Sequence, residues 1–257
     1  MHAGGDPPRL GPRIALLRNA RVLGQPSLVD VQITTEGLVG AVQPAAGRPE
    51  KSQNGLTVDA AGALVLPALL DGHVHPDKTL LGLPPHVVDR LLSSSGLPAA
   101  TVQDRIAREI AVRPAADAEL SVEGRARNML AACAAKGTLR VRAHADVDSH
   151  TGLEHLRAVR RAADAFRGVV DVQLVAFPQS GVCGSQPGAE GVPSLLRAAL
   201  TEFPDLVIGG LDPIAIDGAL DAQLDLVLEL AALVCLRSTL PEPTNKQHSL
   251  CTRLDLQ

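Results

Sequence analysis

From residue 64 onward, short apolar runs alternate with amphipathic segments, and each apolar run stops in a polar or glycine-rich cluster. "ALVLPALL" runs into "DGHVH", "TLRVRA" into "HADVD", "VVDVQLVAF" into "PQSG", and "DLVI" into "GGLDP". Between them "SVEGRARNMLAACAAKG", "GLEHLRAVRRAADAFRG" and "PSLLRAALTEF" have helical periodicity, and "DGALDAQLDLVLELAAL" adds a final amphipathic helix. Ser121 is placed to cap the first of these helices, Glu123 lies in its first turn and Gly137 closes it. Strands that alternate with helices predict parallel βαβ units. The four strands are expected at about residues 64–70, 138–146, 170–177 and 205–210. The first is continuous enough to suggest burial on both faces. Residues 79–120 read as a long loop with helical pieces. In α/β barrels and open α/β sheets, chemistry gathers at the C-terminal strand ends, where these polar clusters fall.

Upstream the rhythm differs. "RIALLRNARVL" and "LVDVQITTEGLVGAVQP" show partial period-two alternation broken by Gly and Pro, and "AAGRPEKSQNG" is a polar loop. This predicts a small β-rich module at about residues 12–63, followed by the α/β region at 64–232.

Composition narrows the function classes. The chain has three Phe, no Tyr and no Trp, and its net charge is -4. Without aromatic stacking platforms or a basic balance, nucleic-acid binding is not expected. No run approaches the roughly 18 apolar residues of a membrane span, and "MHAGGDPPRLGPR" lacks the apolar core of a signal peptide. The four cysteines are far apart, without a CxxC pair, and are expected as reduced thiols. These features predict a cytoplasmic protein with no membrane partner.

The candidate chemistry sits at the strand ends. His73 and His75, two apart, would aim both imidazoles at one point beyond the first strand, as a metal pair requires. The competing explanation is coincidence, two polar residues in a turn. Arg142, His144 and Asp146 share one face of the second strand, opposite Leu139, Val141 and Ala143. That polar face either lines a site or pairs internally, with Arg142 neutralising Asp146. Asp148 and His150 lie further out, where a solvated loop is expected. Gln179, after the third strand, offers a donor and an acceptor suited to the amide or amidine edge of a heterocycle. No GxGxxG follows a strand, and there is no P-loop, GxSxG elbow or HxE…PCxxC signature.

Together, "GALVLPALLDGHVHPDKTLLG", "VRAHADVD", "VDVQLVAFPQSGV" and "DLVIGGLDPIAIDG" resemble the amidohydrolase superfamily. The likeness is to its cytosine deaminase branch, which includes the isopropylammelide hydrolases, and runs from about residue 12 to about 232. It implies the first four or so units of a (β/α)8 barrel preceded by a small half-sandwich module. The implied reaction is hydrolysis of a C–N bond in a cyclic amidine or amide of pyrimidine or triazine type, by metal-activated water. Carried over by position, His73 and His75 would bind one divalent ion, zinc or iron, and Gln179, with His144 beside it, would contact the heterocycle. Lys78 stands where relatives often have lysine, with no role assigned.

The family pattern continues with further histidine ligands, an acidic proton shuttle and a metal-binding aspartate. Here the resemblance fades near Ala232, and the tail at 233–257 holds one histidine, His248. The expectation is a C-terminally truncated or frame-shifted chain that holds metal weakly. An open strand edge and an uncovered apolar face would favour poor solubility or a homo-oligomer. A catalytically inactive fragment is the alternative outcome.

Overall fold

The computed structural model describes residues 12–47, 55–96, 100–183, 188–239 and 254–255. The chain divides into two compact units, with the boundary in sequence between Ala68 and Leu69. No helix among the described residues is long and apolar enough to cross a membrane.

The first unit is one sheet of β1 (Ile14–Val22), β2 (Val29–Ile33), β3 (Val39–Pro44), β4 (Leu56–Asp59) and β5 (Leu64–Val65). Its order is β3-β2-β1-β4, with β5 also pairing β1. Ala20, Val29 and Val31 form its buried centre. The imperfect alternation of "RIALLRNARV" has a local cause: the register with β2 shifts between Leu17 and Ala20. Asn19 sits there at φ 52°, a left-handed conformation that asparagine tolerates better than most residues. Its N–H donates to Asp30 Oδ1 at 2.9 Å, and its Nδ2 donates to both oxygens of Asp59.

The second unit opens with β6 (Leu69–Val74), then α1 (Pro85–Ser94), α2 (Val102–Glu119) and α3 (Val122–Ala135). It continues through β7 (Thr138–Asp146), α4 (Glu154–Ala165), β8 (Asp171–Phe177), α5 (Val192–Glu202), β9 (Val207–Gly209), α6 (Leu220–Thr239) and β10 (Leu254–Asp255). The sheet order is β10-β9-β8-β7-β6, and every neighbouring pair is parallel. Four successive β/α strands in sequence order make the parallel βαβ units that the alternation predicted, and they fit the partial (β/α)8 barrel that the resemblance implies.

Three features differ from expectation. "ALVLPALL" is not one strand: Leu64 and Val65 pair with β1, and β6 begins at Leu69. Pro67 divides the run because it has no N–H to give a ladder. Nor is β6 buried on both faces. It is the edge strand of the described sheet, and Leu69 and Leu70 are 53% and 65% exposed. Residues 79–120 are mainly helix: Pro85 opens α1, and a Thr101–Asp104 capping box opens α2. Pro114 lies inside α2 without ending it. His248 lies outside the described residues.

Other local expectations hold. Ser121 Oγ accepts the Gly124 N–H at 3.2 Å at the start of α3, and Gly137 takes φ 81° after its end. The helices pack one face of the sheet through Leu130 of α3, Leu156 and Val159 of α4, Leu196 of α5 and Leu230 of α6. Val74, Val141, Ala143, Ala145, Leu174 and Ile208 meet them from the strands. By the strand alternation, Arg142, His144 and Asp146 take the opposite face of β7.

Candidate functional site

Val74 is buried in the helix-side core, so its neighbours His73 and His75 project from the other face at the C-terminal end of β6. Their Nε2 atoms come within 3.0 Å of each other. The His144 ring tilts against His73 with centroids 3.9 Å apart, and the Phe177 ring meets His75 edge-on at 5.0 Å. Burial pushes His75 down to about 3, helped by the charge of Lys78, so its imidazole is neutral near pH 7. A neutral imidazole is the form that ligates a metal. Nitrogens bound to one zinc-like ion at about 2.0–2.1 Å stand roughly 3 Å apart, so this pair fits a single divalent cation. Asp71 steadies the backbone here, its Oδ1 accepting the His73 N–H at 3.1 Å.

Beside the pair lies a closed ring of charge-assisted bonds. Lys78 Nζ lies 2.7 Å from Asp146 Oδ1, donates to Gln179 Oε1, and stands 4.8 Å above the Phe177 ring. Arg113 donates to Asp146 Oδ2 at 2.8 Å and clasps Glu109 with two bonds of 3.0 and 2.6 Å. Glu109 Oε2 accepts from Gln179 Nε2 at 3.1 Å, which closes the circuit. The Gln179 carboxamide therefore has its oxygen toward an ammonium and its nitrogen toward a carboxylate.

Asp77 ties this ring to the strands. It is buried, and its Oδ2 accepts from the Asp146 N–H at 2.9 Å and faces His155 Nδ1 at 3.2 Å. Burial alone would raise Asp77; the His155 hydrogen bond and Lys78 reverse that and hold its carboxyl below the usual range. For His155, burial lowers the pKa, but the bond to Asp77 outweighs it and the value is raised. At Asp146, burial works upward against the pull of Lys78, while its two oxygens each face a cation. Donor atoms of Asp77, Asp146 and His155 lie within 4.8 Å of one another and could in principle hold a cation. The Lys78 ammonium already fills that electrostatic role.

The structure thus brings His73, His75 and His144 together, with Gln179 joined to them through Lys78 and Phe177. Arg142 does not neutralise Asp146: its Nε donates to Gln173 at 2.8 Å, while Lys78 and Arg113 take Asp146. Asp148 is not in a solvated loop. It is fully buried and accepts from the Thr151 and His150 N–H groups at 2.7 and 2.9 Å. Glu109, Arg113 and His155 were not legible as site residues, because they lie on helices and belong to no motif. The one available signal was the i,i+4 spacing of Glu109 and Arg113.

A search against models of protein families gives no match. An uncharacterised protein of Escherichia coli strain K12, YahJ, is 32% identical over 67% of this chain and 35% of its own length. The N-isopropylammelide isopropyl amidohydrolase of Pseudomonas sp. strain ADP is 28% identical over 84% of this chain and 50% of its own. The solved N-isopropylammelide isopropylaminohydrolase of Burkholderia multivorans superposes with a TM-score of 0.66 at 33% identity, covering 86% of this chain and 50% of that one. The 5-methylcytosine deaminase of Klebsiella pneumoniae shares the fold, with a TM-score of 0.67 at 22% identity over 86% of this chain and 49% of its own. The chain spans about half the length, or less, of these relatives. By sequence and by fold, it is related to the amidohydrolase superfamily.

Proposed function

We propose that this chain carries the metal-binding and ring-binding part of a hydrolase that cleaves a C–N bond in a cyclic amidine or amide. Its substrate would be a pyrimidine- or triazine-like heterocycle. The observation that carries this is the 3.0 Å approach of the His73 and His75 Nε2 atoms at the end of β6. A divalent cation held there supplies Lewis-acid activation of water. The chain's own groups do the rest. His73 and His75 offer imidazole nitrogens, and the His144 ring packs against both of them. Gln179, fixed by Lys78 and Glu109, presents its remaining N–H and lone pair to the amide edge of the ring.

A second reading is a chain that binds such a ring without turning it over. It is favoured by the state of the nearby carboxylates: Asp71 accepts from His73 N–H, Asp77 faces His155, and Asp146 faces Lys78 and Arg113. Each of these carboxylates is thus already engaged in holding the backbone or a neighbouring side chain, which favours a binding role for them over proton transfer. An assay of ammonia or amine release from cytosine- and triazine-type compounds, with metal added, separates the two. Metal-dependent release that disappears in His73→Ala supports the hydrolase; ring binding without release supports the second reading.

A further inference from the structure

Between α1, α2 and the segment that follows β6 lies a cavity of about 260 Å³. Its wall carries Lys78, Arg105, Arg108, Arg113, Arg125 and a single carboxylate, Glu109. Three of these cations are already matched: Lys78 by Asp146, Arg113 by Glu109 and Asp146, and Arg125 by Asp117. Glu109 is spent as well, since Arg113 takes both of its oxygens. Arg105 and Arg108 remain. They lie one turn apart on the same side of α2, and neither makes an ion pair with a described carboxylate.

The hydrogen bonding points the same way. Arg108 donates one bond, to the Leu92 carbonyl, while its Nε–H is buried without an acceptor. Arg125 is 1% exposed, and its Nε–H is likewise buried without an acceptor. Buried guanidinium donors in that condition are uncommon, and an oxyanion satisfies their charge and their N–H groups together. The cavity is not remote from the ring-binding residues: Lys78 and Glu109 line it and are also the two groups that hold the Gln179 carboxamide.

We infer that this cavity is an oxyanion subsite of the same active site, so that the heterocycle bears a carboxylate or phosphate-like substituent seated on Arg105 and Arg108. This rests on Gln179 as the ring-binding group. The test is calorimetric titration of the full chain at constant ionic strength with three probes: inorganic phosphate, an uncharged pyrimidine, and the same pyrimidine bearing a carboxylate. Phosphate is expected to bind, and the carboxylate to bind at least about tenfold more tightly than its uncharged parent. Both effects should vanish in Arg105→Gln/Arg108→Gln, with the chain still folded and the binding of the uncharged ring unchanged. Arginine-dependent phosphate binding with no binding of either pyrimidine would keep the anion cavity, overturn its link to the ring, and count against Gln179 as the ring-binding group. Absence of phosphate and carboxylate binding, or equal binding in the double variant, overturns the subsite.

Discussion

Lys78 and Asp146 form an ion pair of 2.7 Å in which the carboxylate is fully buried and the lysine side chain is 12% exposed. The pair couples the segment after β6 to the end of β7, the neighbouring strands whose tips carry the histidines. It also places an ammonium where it can orient Gln179.

Breaking that pair from one side should be costly. Lys78→Met removes the ammonium and leaves Asp146 buried with only Arg113 opposite. One-sided loss of a buried pair costs about 3–5 kcal/mol, and the remaining arginine places this case at the lower end. Chemical denaturation should show this loss, and Lys78→Met/Asp146→Asn should recover part of it. A loss under about 1 kcal/mol would mean that Lys78 contributes little beyond a surface pair.

Acid sensitivity should be traceable to Asp148. Burial would raise its pKa, but the hydrogen bond from the Thr151 backbone and the nearby Arg113 guanidinium lower it in the folded chain. A carboxyl with a depressed folded pKa stabilises above its unfolded pKa of about 3.9 and loses that contribution as pH falls through the folded value. Asp148→Asn should therefore be less stable than wild type near pH 7, with the gap closing below about pH 4. A gap that stays constant down to pH 2 would contradict this assignment.

Packing supplies a control free of site chemistry. Leu130 is fully buried among the sheet and helices, whereas Leu23 is 85% exposed. Leu130→Ala should cost about 2–5 kcal/mol, and Leu23→Ala should stay within about 0.5 kcal/mol of wild type. Similar costs at the two positions would show that the helix-side core does not carry the stability of this unit.

What could be seen in the sequence was whatever rests on local pattern. The alternating strands, the Ser121 cap, the Gly137 stop and the shared face of Arg142, His144 and Asp146 all follow from period and turn chemistry. The partners of those polar residues were not visible, because partners are set by tertiary packing. Nothing near Asp146 in sequence announces that Arg113 and Lys78 will take it in place of Arg142, which is only four residues away. Asp148 differs from expectation for the same reason, its partner Arg113 coming from α2 to 3.5 Å from Oδ2. Some local signals also bear on the differences: Pro67 puts the start of β6 at 69 in place of 64, and Pro85 and the Thr101–Asp104 capping box open helices in a stretch expected as mainly loop.

Metal content decides the matter most directly. The purified chain, incubated with zinc or ferrous ion and freed of excess, should retain up to one ion per chain, with the affinity falling at least about tenfold in either His73→Ala or His75→Ala. A chain that takes up no divalent ion, or one that keeps it with both histidines replaced, would contradict a metal centre built on His73 and His75.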